Sequence, residues 1–237
     1  MKHIILNPTL IAAAALLASC STSNHTPRNS SRAEFLDQVW VTPELRGQAI
    51  SDSYNKVYFA PVTVSHLKDQ TWWNSQNTKT RDQLEIDAKN LATFTHRSFV
   101  NAANQIPGKK ILVVSNPGPG TLIIESSIVE LVPSKAFWNS AASAAGFVVP
   151  GAGILSTFGK GSITIEGRLR DAASGKTIAT FRDHSSDKTA VVNVNSFTWY
   201  RGSEANIDEL ALRTAQLLNS DNRTTIKESS PIKLIAS

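Results

Sequence analysis

The sequence predicts an α+β domain: a mainly antiparallel sheet with two amphipathic helices on one face and an apolar insertion between strands. Three observations carry this. From Ser162 to Arg170 the chain alternates apolar and polar residues, then turns at Asp171-Ala172-Ala173-Ser174-Gly175 and returns from Lys176 to Arg182, which is the pattern of a hairpin. Leu84, Ala88, Leu91, Ala92, Thr95 and Phe99 recur at steps of three and four, which marks one face of a long helix. The element order along the chain is strand, helix, strand, strand, a long insertion, strand, strand, helix.

Ahead of the domain lies a segment of another kind. Met1-Lys2-His3 is followed by an apolar run from Ile4 to Leu17, broken at Asn7 and Pro8, and then by Ala18, Ser19 and Cys20. A charged start, an apolar stretch and a small-residue site form an export signal over residues 1–19. The run is too short and broken for a comfortable bilayer span, which takes roughly 20 apolar residues. Leu17-Ala18-Ser19-Cys20 resembles the bacterial lipobox, in which the peptide is cut between Ser19 and Cys20 and the cysteine carries a diacylglycerol on sulfur and an acyl chain on its new amine. The resemblance implies these covalent lipids as the sole prosthetic groups, and Ser21 in the second position implies the outer membrane, with the domain in the periplasm. Two or three acyl chains hold a protein on a membrane where one does not. Residues 20–33 follow as the lipidated cysteine and a polar tether that reaches about 40 Å at about 3.3 Å per residue.

Residues 34–237 are one domain. The composition, 41% hydrophobic and 18% charged, suits a globular core. Cys20 is the only cysteine, so stability has to come from packing. The chain carries +5, or +4 from Cys20 onward because Lys2 is the only charge before it (5 − 1 = 4). Such a balance suits a solvated surface or anionic headgroups. Export argues against nucleic acid as a partner.

Within the domain, Phe35, Leu36, Val39 and Trp40 stand at nearly helical spacing before Thr42-Pro43, as a short segment docked on the core. Gly47 to Tyr54 reads as a loop. Lys56 to Val64 is a strand rich in β-branched and aromatic residues, with Pro61 marking an open edge or a bulge. Ser65 to Lys79 is a polar loop carrying Trp72-Trp73, either a membrane or partner contact or a pair of rings folded under the loop. Thr80-Arg81-Asp82-Gln83 reads as a capping box opening the long helix, which runs to about Gln105 before Pro107-Gly108. Glu85 and Lys89 can pair on its wet face, and His96, without a second ligand at metal spacing, is structural.

Lys110 to Ser115 is a strand, Asn116 to Gly120 a turn, and Thr121 to Val132 a long strand apolar on both faces that belongs mid-sheet. The insertion at about 136–160 holds no charge from Ala136 to Gly159. Its Phe137, Trp138 and Phe147 fit either a segment lying against lipid or a neighbouring subunit, or a packed crossover. Ile163, Ile165 and Leu169 point inward, and Thr164, Glu166, Arg168 and Arg170 outward. Asp183 to Arg201 fits an edge strand or a packed loop. Glu204 to Leu218 is the second helix, and Ile232 to Ile235 could add a short strand to the polar tail.

Phe35-Leu36, Tyr54-Asn55-Lys56-Val57-Tyr58 leading to Pro61-Val62, Gly118-Pro119-Gly120 opening a strand, and Glu166-Gly167-Arg168-Leu169 with Asp171-Ala172 and Gly175 resemble one family in their order. It is a family of bacterial lipoproteins catalogued as domain of unknown function thirty-three thirteen. The resemblance implies no catalytic residues. The element order is also similar, more distantly, to periplasmic lipoprotein domains such as the curli secretion channel subunit.

Gly153 to Lys160 has five residues between its glycines where a phosphate loop needs four, and Gly161 stands where Ser or Thr is needed. Asp183-His184-Ser185 holds triad residue types, but strand neighbours point to opposite faces, and no G-x-S-x-G elbow occurs. The histidines, at 3, 25, 66, 96 and 184, form no pair at metal spacing. Asp82, Glu85 and Asp87 suit a helix N-terminus. The expectation is therefore an outer-membrane lipoprotein that binds an envelope protein partner without catalysis, with no metal and with a homo-oligomer compatible. The alternative is an oligomeric pore or secretion component that inserts residues 136–159 in the bilayer.

Overall fold

A computed structural model describes residues 32–132, 161–186 and 200–228, with the side chain of residue 201 excepted. Six strands form one sheet: β1 (Gln38–Val41), β2 (Lys56–Phe59), β3 (Leu112–Val113), β4 (Thr121–Val132), β5 (Ser162–Asp171) and β6 (Thr177–Ser186). Their order across the sheet is β1-β6-β5-β4-β2-β3. The β1–β6, β6–β5 and β5–β4 pairs are antiparallel, and β4–β2 and β2–β3 are parallel. Among the described residues the helices are α1 (Ile50–Ser53), α2 (Thr71–Asn74), α3 (Thr78–Gln105) and α4 (Arg201–Asn219). This is the α+β layer the sequence predicts.

The long helices pack on each other and on one face of the sheet, α3 over β2 and β3, α4 over β5 and β6. Leu84, Leu91 and Phe99 from α3 and Ile207, Leu210 and Leu218 from α4 meet Val57, Leu122, Ile124, Ile128, Ile163 and Ile165 from the strands. The rings of Phe59 and Phe99 lie 5.8 Å apart and tilted, at the distance where aromatic pairs attract.

The long helix starts at Thr78, earlier than the expected Thr80 box, because Asn77 caps it first: its side chain accepts the Thr80 amide at 3.0 Å. Gln83 reaches forward to Asp87 at 3.0 Å instead of back. β2 stops at Phe59, short of the expected Val64, because Pro61 has no amide to donate. The ladder resumes beyond it, with Thr63 donating to Ser126 O at 3.1 Å. Lys110 to Ser115 contributes only the two residues of β3. The loop expected over Gly47 to Tyr54 contains α1, and the helix-spaced segment around Val39 is the edge strand β1, paired with Ala179 to Arg182. An open strand edge offers a row of unpaired amides and carbonyls, and that outweighs weak helical spacing over four residues.

The hairpin is as expected: Gly175 at φ +71° donates to Asp171 O at 2.8 Å, while the Asp171 carboxylate takes the Ser174 amide at 2.6 Å. Thr164 does point away from the helices but is fully buried, because Glu130 and His184 on the neighbouring strands close over it. Asp183 to Ser186 extend β6. The rest of that ambiguous stretch, residues 187–199, lies outside the described residues, as do 133–160 and Ile232 to Ile235. Arg32 and Ala33, assigned to the tether by composition, belong to the fold: Ala33 is buried, and Ile226 donates to Arg32 O at 2.9 Å while accepting the Glu34 amide at 3.1 Å.

Candidate ligand-binding cavity

A helix is about 10 Å across with its side chains, and strands are spaced about 4.8 Å. Two helices therefore cover about four strands, and a six-stranded sheet has more width than α3 and α4 can cover. At the β1 edge the missing cover is supplied by chain without a long helix: residues 32–36, a 3₁₀ turn at Pro43–Leu45, and α1. Between this cover, β1, β6 and the C-terminal half of α4 lies a cavity of about 580 Å³. That size lies within the range of small-molecule sites.

Leu36, Val39, Tyr54, Ala179, Phe181 and Leu218 form its body. Leu36, Val39 and Phe181 keep 7–9% exposure, whereas Leu122, Ile124 and Ile165 in the sheet centre keep 0–1%. Tyr54 is fixed by a hydrogen bond to Asp171, and burial, helped by that carboxylate, pushes its hydroxyl up from its ordinary value. Among the described residues the only charged side chains lining the space are Arg32 and Arg46. Arg32 spans the N-terminal entry, donating to Gln48 O at 2.6 Å and to Ser220 Oγ at 2.9 Å. Arg46 is exposed and donates to Val41 O at 3.2 Å.

A second hollow, of about 600 Å³, lies between α3 and α4. It is lined by Phe94 and Leu212 with Arg97, Ser98, Gln105 and Asp208. Ser98 donates to Asp208 at 2.6 Å. Its charges are of both signs, so it has no evident preference for a ligand's charge.

The sheet face away from the helices is polar. Glu125 takes Arg168 and, at 2.7 Å, Arg170, which together hold its carboxyl below the usual range against the opposing effect of burial. Glu166 takes Arg182. Thr164 donates to Glu130 at 2.9 Å and lies 2.8 Å from His184 Nδ1. His184 is therefore on this face, while Asp183 and Ser185 are on the helix side, where Ser185 donates to Asp183 at 2.9 Å. The strand separates the histidine from the other two, as expected from strand geometry. Burial, reinforced by Asp37 and Glu228, pushes the Asp183 carboxyl up to about 6 against the lowering effects of Ser185 and His184.

Of the residues singled out in sequence, Trp73 is buried in the core, and a ring so placed has no face to offer a partner. Trp72 is half-buried, 5.6 Å from it in an edge arrangement, with its indole N–H on Gln70 at 2.9 Å. Both sit on α2 and not on a loop. His96 lies 3.3 Å from Ala60 O, a tie between α3 and the end of β2. Ser19, Cys20, Phe137, Trp138 and Phe147 lie outside the described residues. Among the described residues no group of His, Cys, Asp and Glu could hold a metal ion, and no helix is long and apolar enough to cross a membrane. Sequence reasoning missed the cavity. No local signal marked it, since residues 33–45 mix apolar residues with Glu34, Asp37 and Glu44.

Residues 27–213 match the family model described as "Protein of unknown function (DUF3313)". No curated protein matches the chain. Among solved structures it is similar to a PelC dodecamer from Paraburkholderia phytofirmans, at TM-score 0.40 and 10% identity over 77% of this chain and 96% of that one. It is also similar to the hypothetical protein CT253 from Chlamydia trachomatis, at TM-score 0.38 and 10% identity over 70% and 98%. Protein XCC0632 from Xanthomonas campestris, of the DUF330 family, gives TM-score 0.39 and 10% identity over 81% and 93%.

Proposed function

This chain belongs to the DUF3313 family of proteins of unknown function, and from that premise we propose that it is an outer-membrane lipoprotein whose periplasmic domain works by binding and not by turnover. The observation that carries the reading is the order of features before the fold. Leu17-Ala18-Ser19-Cys20 follows a charged start and an apolar run, and Ser21 to Arg32 contains no apolar residue. Arg32, at the end of that polar stretch, ties to Gln48, Ser220 and Asp221. Such an arrangement holds a folded unit within about 40 Å of a lipid surface, at about 3.3 Å per residue of tether. The cavity at the β1 edge supplies a concave, mostly apolar surface of the kind that binding sites use, and it lies where the tether enters.

Separation of the cell envelope tests the anchor. The chain is expected to sediment with outer membranes, and the Cys20→Ser chain to leave them almost completely, because two or three acyl chains are needed for lasting attachment. A Cys20→Ser chain that stays with the outer membrane would overturn the reading.

A further inference from the structure

We propose that the β1-edge cavity binds one long-chain fatty acid, its aliphatic tail among Leu36, Val39, Ala179 and Phe181 and its carboxylate at Arg46. Three observations meet here. The body of the cavity is lined by apolar side chains, so a tail entering it is itself removed from water. The charged side chains that line it are two arginines and no acid among the described residues. Arg46 uses its Nε on Val41 O, and a planar guanidinium pairs with a carboxylate through two parallel N–H bonds, a geometry lysine cannot offer. Arg32, whose Nη atoms hold Gln48 O, Ser220 Oγ and Asp221 O, adds its positive charge beside it. The size, about 580 Å³, lies within the range of sites that take one small molecule, the class to which a single-chain acid belongs.

The location agrees with the ligand's source. Arg32 is both a lining residue and the last residue of the polar stretch leading from Cys20. On the lipoprotein reading, on which this last point rests, the mouth stays within reach of the membrane from which a single-chain lipid would come.

The test uses the full chain carrying Cys20→Ser, so the result does not depend on whether Cys20 is acylated and its failure is separate from failure of the anchor. Titration with cis-parinaric acid, a fluorescent eighteen-carbon acid, is expected to saturate at one per chain and to be reversed by palmitate. Arg46→Glu, at an exposed position, is expected to weaken binding of the acid about tenfold while leaving binding of the matching neutral alcohol within about twofold, a loss corresponding to about 1.4 kcal/mol. Ala179→Leu, which directs extra volume into the cavity, is expected to weaken both by tenfold or more. Thermal unfolding of each variant confirms that it is folded. Absence of saturable binding, equal loss of acid and alcohol with Arg46→Glu, or a chain that dimerises and excludes the probe would each overturn the proposal.

Discussion

Replacing Gly167 with alanine is expected to lower stability by about 2–3 kcal/mol, at the upper end for overpacking, and the melting midpoint by roughly 5–10 °C for a domain of this size. Gly167 lies mid-strand in β5, paired with Phe181 on one side and Ser126 on the other. A Cβ there would stand 2.3 Å and 2.4 Å from two carbons of the Phe181 ring and 3.0 Å from Glu125 O. The ring has somewhere to go, because Phe181 forms part of the cavity wall, but the Glu125 carbonyl belongs to the β4 backbone. The strain therefore splits between a sheet that cannot shift and a ring pushed into the cavity. Urea or thermal denaturation measures the first effect. Gly118→Ala is the control, since a Cβ there meets nothing within 4 Å. Equal midpoints for the two variants would contradict the packing described.

Asp183 should make the domain more stable in mild acid. Its folded-state value, about 6, lies above the ordinary value of 3.8, so the folded chain holds the proton more tightly than the unfolded chain. The stabilisation from protonation is fully present below the unfolded value and is lost as pH rises through 6. Linkage converts the separation into about 3 kcal/mol. The expected result is a urea midpoint that falls as pH rises from 5 to 7.5. Asp183→Asn, which keeps the size and removes the charge, should flatten that slope and match or exceed the native stability at pH 7.5. Carboxylates held low, such as Glu125 and Asp171, act in the opposite sense and only below their ordinary range. A slope unchanged in Asp183→Asn would assign the effect elsewhere.

What sequence could reveal divides along the range of the interactions involved. The β5–β6 hairpin and the faces of α3 and α4 were legible because period and turn chemistry are local. So was the break at Pro61, which follows from a missing amide. The β1 strand was not legible, since four residues from Gln38 to Val41 adopt strand structure only because β6, some 140 residues later, presents an edge. Gly167 sat at an inward position among Ile163, Ile165 and Leu169, yet nothing local says that the Phe181 ring crosses over it. The burial of Thr164 depends on residues from two other strands. The cavity was the least legible feature: it arises from a mismatch in width between two helices and six strands, and only assembled layers express it.

The measurement that bears most directly on the account is the intact mass and N-terminal peptide of the chain isolated from its own cell envelope. The expected chain begins at Cys20, with a diacylglyceryl group on sulfur and an acyl chain on the amine. A chain that retains residues 1–19, or one that carries a free Cys20 thiol, would contradict it.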